Sequence, residues 1–299
     1  MFNKILIVGC GLIGSSILRA SIKKKISKKI YILEKSKNHI KQIKKLRLKC
    51  EFIKIPKIQI PSVDMIIFCT HLGEYIETFK KIEKYISKDT IVTDVGSSKE
   101  KILKKINDNM KKNLNWISSH PIAGSEVSGP KFGDENLFFN KWCVLIKDKK
   151  VKKKHIKTLS KFWTKIGSKI VFMNSKEHDH IFSITSHIPH LVAYNMVKTA
   201  MNFEKKKKSN IVKFSAGGLR DFTRTAASNE VMWKDIFFNN KENIIKGIDL
   251  FINNMRQIKT LINTENEKKL IKIMKDSKKI RKKIISLKQD IDLPDFGRR

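Results

Sequence analysis

The sequence has 299 residues, of which 40% are hydrophobic, and it carries a formal net charge of +36. That apolar content argues against a disordered chain, and the length leaves room for two domains and a sizeable core. The charge excess is almost all lysine and is spread over every segment, without the interleaved arginines and stacking aromatics of phosphate-tracking sites, so nucleic-acid binding is not expected as the main function.

The cysteines and the apolar segments indicate a cytoplasmic protein. Cys10, Cys50, Cys69 and Cys143 form no CxxC pair and no metal-ligand spacing, which is typical of reduced thiols. No apolar run reaches the length of a membrane span. The glycine pattern near the N-terminus argues against a signal peptide. We therefore expect a cytoplasmic protein with no membrane partner.

The first forty residues predict a nucleotide-binding unit. Residues 4–8 form a β-branched run that ends in Gly-x-Gly-x-x-Gly and continues as a helix from Leu12, which is the context that this motif requires. The glycines permit a tight turn, close approach of a pyrophosphate and close helix–strand packing, and the helix N-terminus favours phosphate. Methyltransferases share a glycine-rich first turn, so the motif alone does not name the cofactor.

An acidic residue follows the second predicted strand, residues 30–33. Glu34 lies about twenty residues after the motif, where a carboxylate accepts hydrogen bonds from a ribose diol and repels a 2′-phosphate. This position favours NAD over NADP, although Lys35 and Lys37 are close by. The residues expected to contact the cofactor are Gly9, Gly11, Leu12, Ile13, Gly14, Glu34, Thr70 and Asp94.

Apolar strands alternate with helical segments over the first 174 residues. Further strands are predicted at residues 65–69, at 90–93, around Ile117, at 142–146 and at 170–172. Repeated units of this kind predict a parallel sheet with helices on both faces. Because ligands bind outside the carboxyl ends of such strands, the turn at residues 94–99 and the segment at 115–130 should face one crevice.

The segment at residues 115–130 contains the main candidate for a catalytic side chain. It has no amphipathic period and combines proline, glycine and small hydroxyl residues, which predicts a loop of fixed shape. Loops on a rigid scaffold often carry catalytic groups, and His120 is the candidate here. On this segment alone a solvated loop histidine is the commoner case, so the hypothesis depends on the rest of the chain.

After Asn174 the pattern is helical. Residues 176–203 predict one long helix that Pro189 kinks, because proline removes a helix hydrogen bond. Four histidines fall within thirteen residues of it, but their spacing matches no zinc motif, so a metal site is not expected. Residues 230–262 predict a second long helix, whose large apolar face indicates a dimer interface.

A glycine-rich turn at residues 216–224 carries two arginines in a chain whose basic residues are nearly all lysines. A guanidinium can bind a carboxylate through two parallel hydrogen bonds, so Arg220 and Arg224 are candidates for binding an acidic substrate. Solvated surface arginines are the alternative interpretation.

Six segments, in this order and spacing, carry a family resemblance: GCGLIGSSI, DVGSSK, SSHPIAGSEVSGP, SHIPHLVAY, GGLRDFTRTAAS and MWKDIFFNN. Together they resemble the prephenate dehydrogenase family of tyrosine biosynthesis, up to about residue 262. The resemblance implies an α/β fold, with a Rossmann-type parallel-sheet domain at residues 1–174 and an all-helical dimerisation domain at 175–299. It also implies NAD(P)-dependent oxidative decarboxylation of prephenate, or of its amino analogue arogenate, by a homodimer.

The resemblance further implies roles for individual residues. His120 matches the histidine that binds the ring hydroxyl and accepts its proton as hydride leaves, and Ser97 matches a serine near that hydroxyl and the nicotinamide. Arg224 matches the arginine that grips a substrate carboxylate, and Arg220 is a weaker candidate. The other residues expected at the substrate are His190, His187, Glu126 and Ser125. His71 stands where the family frequently has a proline, so the resemblance does not predict the shape of the loop beside the cofactor.

The chemistry agrees with these roles. Removing a hydride from a carbinol carbon requires the hydroxyl proton to depart in step, so we expect a histidine with a pKa near neutrality. One rival, a dehydrogenase of the β-hydroxyacid type, would place a catalytic lysine on the long helix. Another, a basic nucleotide- or nucleic-acid-binding protein, depends on the charge alone.

Overall fold

The computed structural model describes residues 2–54, 60–109, 114–147, 151–207, 210 and 212–287. Over these ranges the chain forms two compact units that divide between Ile244 and Ile245. The first unit contains both sheets and the candidate site. No helix in the described ranges is long and apolar enough to cross a membrane.

Within the described residues, a six-stranded parallel sheet forms the centre of the first unit. Its strands are β1 (Phe2–Val8), β2 (Ser27–Leu33), β3 (Glu51–Phe52), β4 (Met65–Phe68), β5 (Ile91–Asp94) and β6 (Asn115–Trp116). Their order is β3-β2-β1-β4-β5-β6, and every paired neighbour is parallel. This is the order of a Rossmann-type sheet, in which ligands bind at the carboxyl ends where the order reverses between β1 and β4. The predicted fold class is confirmed.

Helices cover both faces of this sheet. They include α1 (Leu12–Lys23), α2 (Lys37–Lys45), α3 (Tyr75–Ile82), α4 (Glu100–Asn109) and α5 (Lys153–Lys165). Along β1, Ile5 and Ile7 point into one buried apolar cluster, and Leu6 and Val8 point into the other. Successive side chains of a strand point to opposite faces, so a sheet covered on both sides requires strands that are apolar throughout.

A smaller sheet of three strands, among the described residues, carries His120. Its strands are β7 (Ser119–Pro121), β8 (Trp142–Ile146) and β9 (Lys169–Met173). β7 runs antiparallel to β8, and β8 runs parallel to β9. The prediction of a loop at His120 is therefore wrong: the residue lies in a short strand opposite Val144. Three residues are too few to show an alternating pattern, and the pairing partner lies far along the chain.

The predicted long helix at residues 176–203 is interrupted. It consists of α6 (Ser175–Phe182), a π-helical turn at Ser183–His187, and α7 (Ile188–Lys207). The wide turn ends two residues before Pro189, whose missing N–H and bulky ring are incompatible with a regular preceding turn. The expected irregularity at this proline is thus present as a π turn.

Three further helices follow, and one of them ends where a continuous helix was expected. They are α8 (Gly217–Thr223), α9 (Glu230–Asn239) and α10 (Lys241–Asn263). The prediction of a single helix over residues 230–262 is wrong, because Asn240 has φ −112° and ψ 31°. The Asn240 amide instead donates to the carbonyl of Asp179 at 2.7 Å.

Side chains from the helical segment bind the sheet domain, which explains why the first unit extends beyond residue 174. Asp179 on α6 accepts from the backbone N–H groups of Lys99 and Glu100, both at 2.8 Å, at the start of α4. Asp235 on α9 accepts from the Gly73 N–H at 2.9 Å. The compact units divide at a later point in the chain, and the predicted domain boundary at residues 174–175 stays a prediction.

The second unit contains the greater part of α10 and helix α11 (Glu267–Ser286). Both helices expose large apolar side chains. Those of this unit include Leu250, Phe251, Ile252, Met255, Ile262, Ile271, Ile273, Met274, Ile280 and Ile284. The predicted second domain ran to residue 299, and its residues 288–299 lie outside the described ranges.

Candidate active site

The glycine-rich turn between β1 and α1 has the geometry that a bound dinucleotide needs. Gly9 adopts φ +83°, and a Cβ there would lie 2.7 Å from the side-chain methyl of Thr70. A Cβ on Gly14 would collide with the Gly9 carbonyl oxygen, whereas a Cβ on Gly11 would meet nothing within 4 Å. Packing therefore requires glycine at 9 and 14, and the open side at Gly11 is the space in which a pyrophosphate can approach the backbone.

Glu34 follows the last residue of β2, and its carboxylate is tied to the glycine turn. It accepts from the backbone N–H of Cys10 at 2.7 Å and of Ser36 at 2.8 Å, and the side chain is buried. These bonds hold the acid where it can also accept from a ribose hydroxyl. The buried hydroxyl of Thr70 has no partner in the described part of the chain. These residues fit a dinucleotide. The other residues expected here are Leu12 and Ile13, which begin α1.

Asp94 ends β5, and several protein groups donate hydrogen bonds to its carboxylate. Its Oδ2 accepts from the Lys99 ammonium at 2.6 Å and from the Gly96 N–H at 3.0 Å. Its Oδ1 accepts from the Ser118 hydroxyl. The Lys99 ammonium also donates to the Ser119 carbonyl at 2.7 Å, and the ion pair is fully buried. The carboxylate expected at the cofactor is therefore occupied by protein donors, and it fixes the turn after β5 against β7.

His120 is buried on β7 and bonds a histidine from the helical segment. Its Nδ1 lies 2.8 Å from Nε2 of His178, and Nδ1 of His178 lies 2.8 Å from Oδ1 of Asp179. Phe182 packs edge-on against the His120 ring, with centroids 4.9 Å apart. No hydrogen bond engages Nε2 of His120 within the described part of the chain, so that nitrogen is available to a substrate.

Burial lowers the proton affinity of both rings. The pKa of His120 lies well below its usual 6.5, chiefly because of burial, with His178, Lys99 and His187 acting in the same direction. Burial also lowers the pKa of His178, and this outweighs the opposing effect of the hydrogen bond that His178 donates to Asp179. The near-neutral pKa expected for His120 is therefore wrong for the free protein, because the sequence does not reveal the depth of burial. Both histidines are neutral at physiological pH.

Two more histidines lie around Trp233. His190 donates from Nδ1 to the Ser186 carbonyl at 2.9 Å, and its ring stacks on Trp233 with centroids 3.7 Å apart. This fixes the ring and leaves Nε2 for a substrate oxygen. His187 has no exposed surface, and its Nδ1 accepts from Asn240 at 3.1 Å. Burial lowers the pKa of His187 to about 4. The Nε2 atom of His187 has no partner among the described residues, and its expected substrate contact stays a prediction.

Arg224, the main candidate for binding a substrate carboxylate, lies at an exposed position beside Glu126. Nη1 of Arg224 lies 2.6 Å from Oε2 of Glu126, and the two side chains are 44% and 27% exposed. The Ser125 hydroxyl donates to the same carboxylate at 3.2 Å. The pKa of Glu126 is lowered, mainly by its own backbone N–H and further by Arg224. Arg220 is exposed on α8, and Ser97 is half-buried on the turn before α4.

Three groups of the site were not among the predicted site residues. Lys99 was visible in the DVGSSK segment, but a fully buried lysine cannot be read from a lysine-rich chain. His178 and Asp179 were visible as part of the histidine cluster, and their adjacency was the available signal. Trp233 was identified only as part of an apolar face, although its ring holds His190.

A glycine turn open to a pyrophosphate, a ribose-side carboxylate and a buried neutral histidine are the parts of a dinucleotide-dependent dehydrogenase. Two family models match the chain: the nucleotide-binding domain of prephenate dehydrogenase over residues 18–172 and its dimerization domain over residues 174–276. The chain belongs to the prephenate dehydrogenase family.

Three relatives illustrate the similarity. A cyclohexadienyl dehydrogenase from Zymomonas mobilis is 30% identical, over 98% of this chain and 99% of its own. A prephenate dehydrogenase from Bacillus subtilis is 29% identical, over 99% of this chain and 80% of its own. The crystal structure of prephenate dehydrogenase from Aquifex aeolicus, in complex with hydroxyphenyl propionate and NAD+, has a TM-score of 0.88 and 32% identity, over 95% of this chain and 99% of its own.

Proposed function

We propose that the protein catalyses the NAD-dependent oxidative decarboxylation of prephenate, or of arogenate, in tyrosine biosynthesis. The observation that carries this proposal is the buried, neutral His120, whose Nδ1 is engaged by His178 and whose Nε2 is left without a protein partner in the described residues. The Aquifex aeolicus relative was crystallised with NAD+ and a hydroxyphenyl compound, which supports both the cofactor and a six-membered ring that carries a hydroxyl.

In this proposal, Nε2 of His120 accepts the proton of the ring hydroxyl. The glycine turn and Glu34 would hold NAD, which when bound would accept the hydride from the carbon that carries this hydroxyl. Loss of the ring carboxylate as CO2 then gives an aromatic product, and aromatisation drives the reaction. The chain therefore mainly has to orient the substrate and exclude water. Burial of His120 between Phe182 and His178 provides an environment that keeps the base unprotonated.

The assay that tests this function follows the NADH absorbance band with prephenate or arogenate and either NAD or NADP. Growth of the band with either substrate supports the proposal. No growth under any of the four combinations, with folded protein, contradicts it.

We propose that Arg224 binds the side-chain carboxylate of the substrate in place of Glu126, which it binds in the structure. Arg224→Ala should raise KM by roughly 10- to 100-fold with little change in kcat, since a charge-assisted bond at a partly exposed site is lost. Arg224→Lys should recover only part of the affinity, because a point charge cannot form the bidentate fork. Steady-state kinetics distinguish these results, and an unchanged KM in Arg224→Ala would assign the arginine to the surface.

We propose a preference for NAD over NADP of roughly tenfold or more in kcat/KM, because the Glu34 carboxylate repels a 2′-phosphate. Lys35, which could bind that phosphate, is paired with Glu74 at 2.5 Å. Glu34→Gln should narrow the preference, since the amide oxygen can still accept from Cys10 while the charge is gone. Glu74→Gln, which removes the charged partner of Lys35, is the matched comparison and should narrow the preference for NAD by less than Glu34→Gln does. Equal use of both cofactors by the unaltered protein contradicts the assignment.

We propose that the protein is a cytoplasmic homodimer. The four cysteines are free thiols, which suits a reducing compartment. The second unit exposes apolar side chains on both of its helices, more than a monomer usually leaves in water. Sedimentation at micromolar concentration should give twice the chain mass of 34.7 kDa. Phe251→Glu should shift the equilibrium toward monomer, and a monomeric mass for the unaltered protein contradicts the proposal.

A further inference from the structure

A line of hydrogen bonds, which we call the relay, runs from the start of α4 through Asp179 and His178 to the ring of His120. The Asp179 carboxylate accepts from the backbone N–H of Lys99 and of Glu100, and its Oδ1 also contacts Nδ1 of His178 at 2.8 Å. Nε2 of His178 then contacts Nδ1 of His120 at 2.8 Å. All of these side chains have exposures below 9% apart from that of Glu100, so water does not compete for the bonds.

The chemistry of these groups determines where each proton lies. A carboxylate can only accept, so Nδ1 of His178 must carry the proton that is shared with Asp179. Burial keeps His178 neutral, so its Nε2 has a bare lone pair and must accept. The donor is then Nδ1–H of His120. A neutral imidazole has a single N–H, so Nε2 of His120 is left as the basic nitrogen.

We propose that His178 and Asp179 are positioning residues that hold His120 in the tautomer with its proton on Nδ1 and its lone pair on Nε2. The proposal rests on the proposed function, in which His120 is the base. Without the relay, a neutral histidine in water favours the opposite tautomer, with the proton on Nε2, and such a ring cannot accept the substrate proton at the nitrogen that faces it.

The relay also fixes the base relative to the turn after β5. Asp179 binds the two N–H groups that begin α4, and the Lys99 ammonium binds the carbonyl of Ser119, the residue before His120. The turn that carries Ser97 and the strand that carries His120 are therefore connected by two independent sets of contacts. The ring of Phe182 packs against both histidines and restricts their rotation.

Two substitutions at His178 separate hydrogen bonding from packing. A glutamine side chain is long enough to bring an amide oxygen to the position of Nε2, whereas leucine fills the space without an acceptor. His178→Leu should lower kcat by roughly 10- to 1000-fold with little change in KM, since an unfavourable tautomer impairs the base and not the binding of substrate. His178→Gln should retain most of the activity. His180→Gln is the control, because His180 is exposed on the same helix.

The tautomer can be measured directly by nitrogen NMR of the ligand-free protein, labelled at its histidines. The ring of His120 should show a proton on Nδ1 and a bare Nε2 in the unaltered protein and in His178→Gln, but not in His178→Leu. A proton on Nε2 of the unaltered protein overturns the proposal, even if His178→Leu does not fold. Equal losses of kcat in the glutamine and leucine variants also overturn it, because packing alone would then explain them. The NMR measurement needs no turnover, so it tests the tautomer of His120 even if prephenate is not the substrate.

Discussion

His120→Asn should lower kcat by on the order of 10²–10⁴-fold and leave KM nearly unchanged. The asparagine amide lies near the position of Nδ1 and can still bond His178, so the packing of β7 is preserved while the basic Nε2 is removed. Steady-state kinetics on the folded variant measure the effect. His180→Asn, at an exposed position, should match the unaltered protein. Near-normal turnover by His120→Asn would remove His120 from the chemistry.

The pH dependence of the unaltered protein gives a second measure of the same residue. Because burial holds the pKa of His120 well below 6.5, the base is unprotonated from mildly acidic pH upward. We therefore expect kcat/KM to be flat through neutrality and to fall only on the acid side of pH 6.5. His120→Asn should lack that acid limb. A limb centred at or above neutrality in the unaltered protein contradicts the neutral, buried base.

Lys99→Met should lower the free energy of unfolding by about 3–5 kcal/mol, because it leaves the Asp94 carboxylate buried without its cation. The ammonium lies 2.6 Å from Asp94, and neither side chain reaches solvent. Denaturant unfolding measures the change. Lys104→Met, at an exposed position of α4, should stay within about 0.5 kcal/mol of the unaltered protein.

A double variant isolates the cause of this loss. Asp94→Asn combined with Lys99→Met removes both charges and should recover part of the stability, since the amide can keep the bond from Ser118 without a buried charge. A double variant that is less stable than Lys99→Met by the full cost of Asp94→Asn would show that the two residues act independently.

The parts of the fold that the sequence predicts well depend on local patterns. The strand, glycine turn and helix at the N-terminus place Gly9, Gly11 and Gly14 as expected, because packing and a positive φ restrict those positions to glycine. The position of Glu34 follows from the length of the same unit. Apolar strands bounded by turns likewise predict the parallel sheet, since each carries its own signal.

The parts that the sequence does not predict depend on pairing between distant segments. The strand at His120 forms only against β8, and the helix break at Asn240 is accompanied by its amide bond to Asp179. The buried ion pair between Asp94 and Lys99 was likewise not predicted. His178 and Asp179 stood out only as members of a histidine-rich stretch. Their partners lie 58 and 80 residues away, at His120 and Lys99, and no periodicity links such positions.

The most direct test of the proposed reaction is its stoichiometry. NADH formed and CO2 released should be measured in one reaction of the purified protein with NAD and limiting prephenate, and the same should be done with arogenate. With the preferred substrate we predict one NADH and one CO2 for each molecule consumed, together with an aromatic product. NADH without CO2 would indicate a simple alcohol dehydrogenase, and neither product with either substrate would contradict the assignment of this site to oxidative decarboxylation.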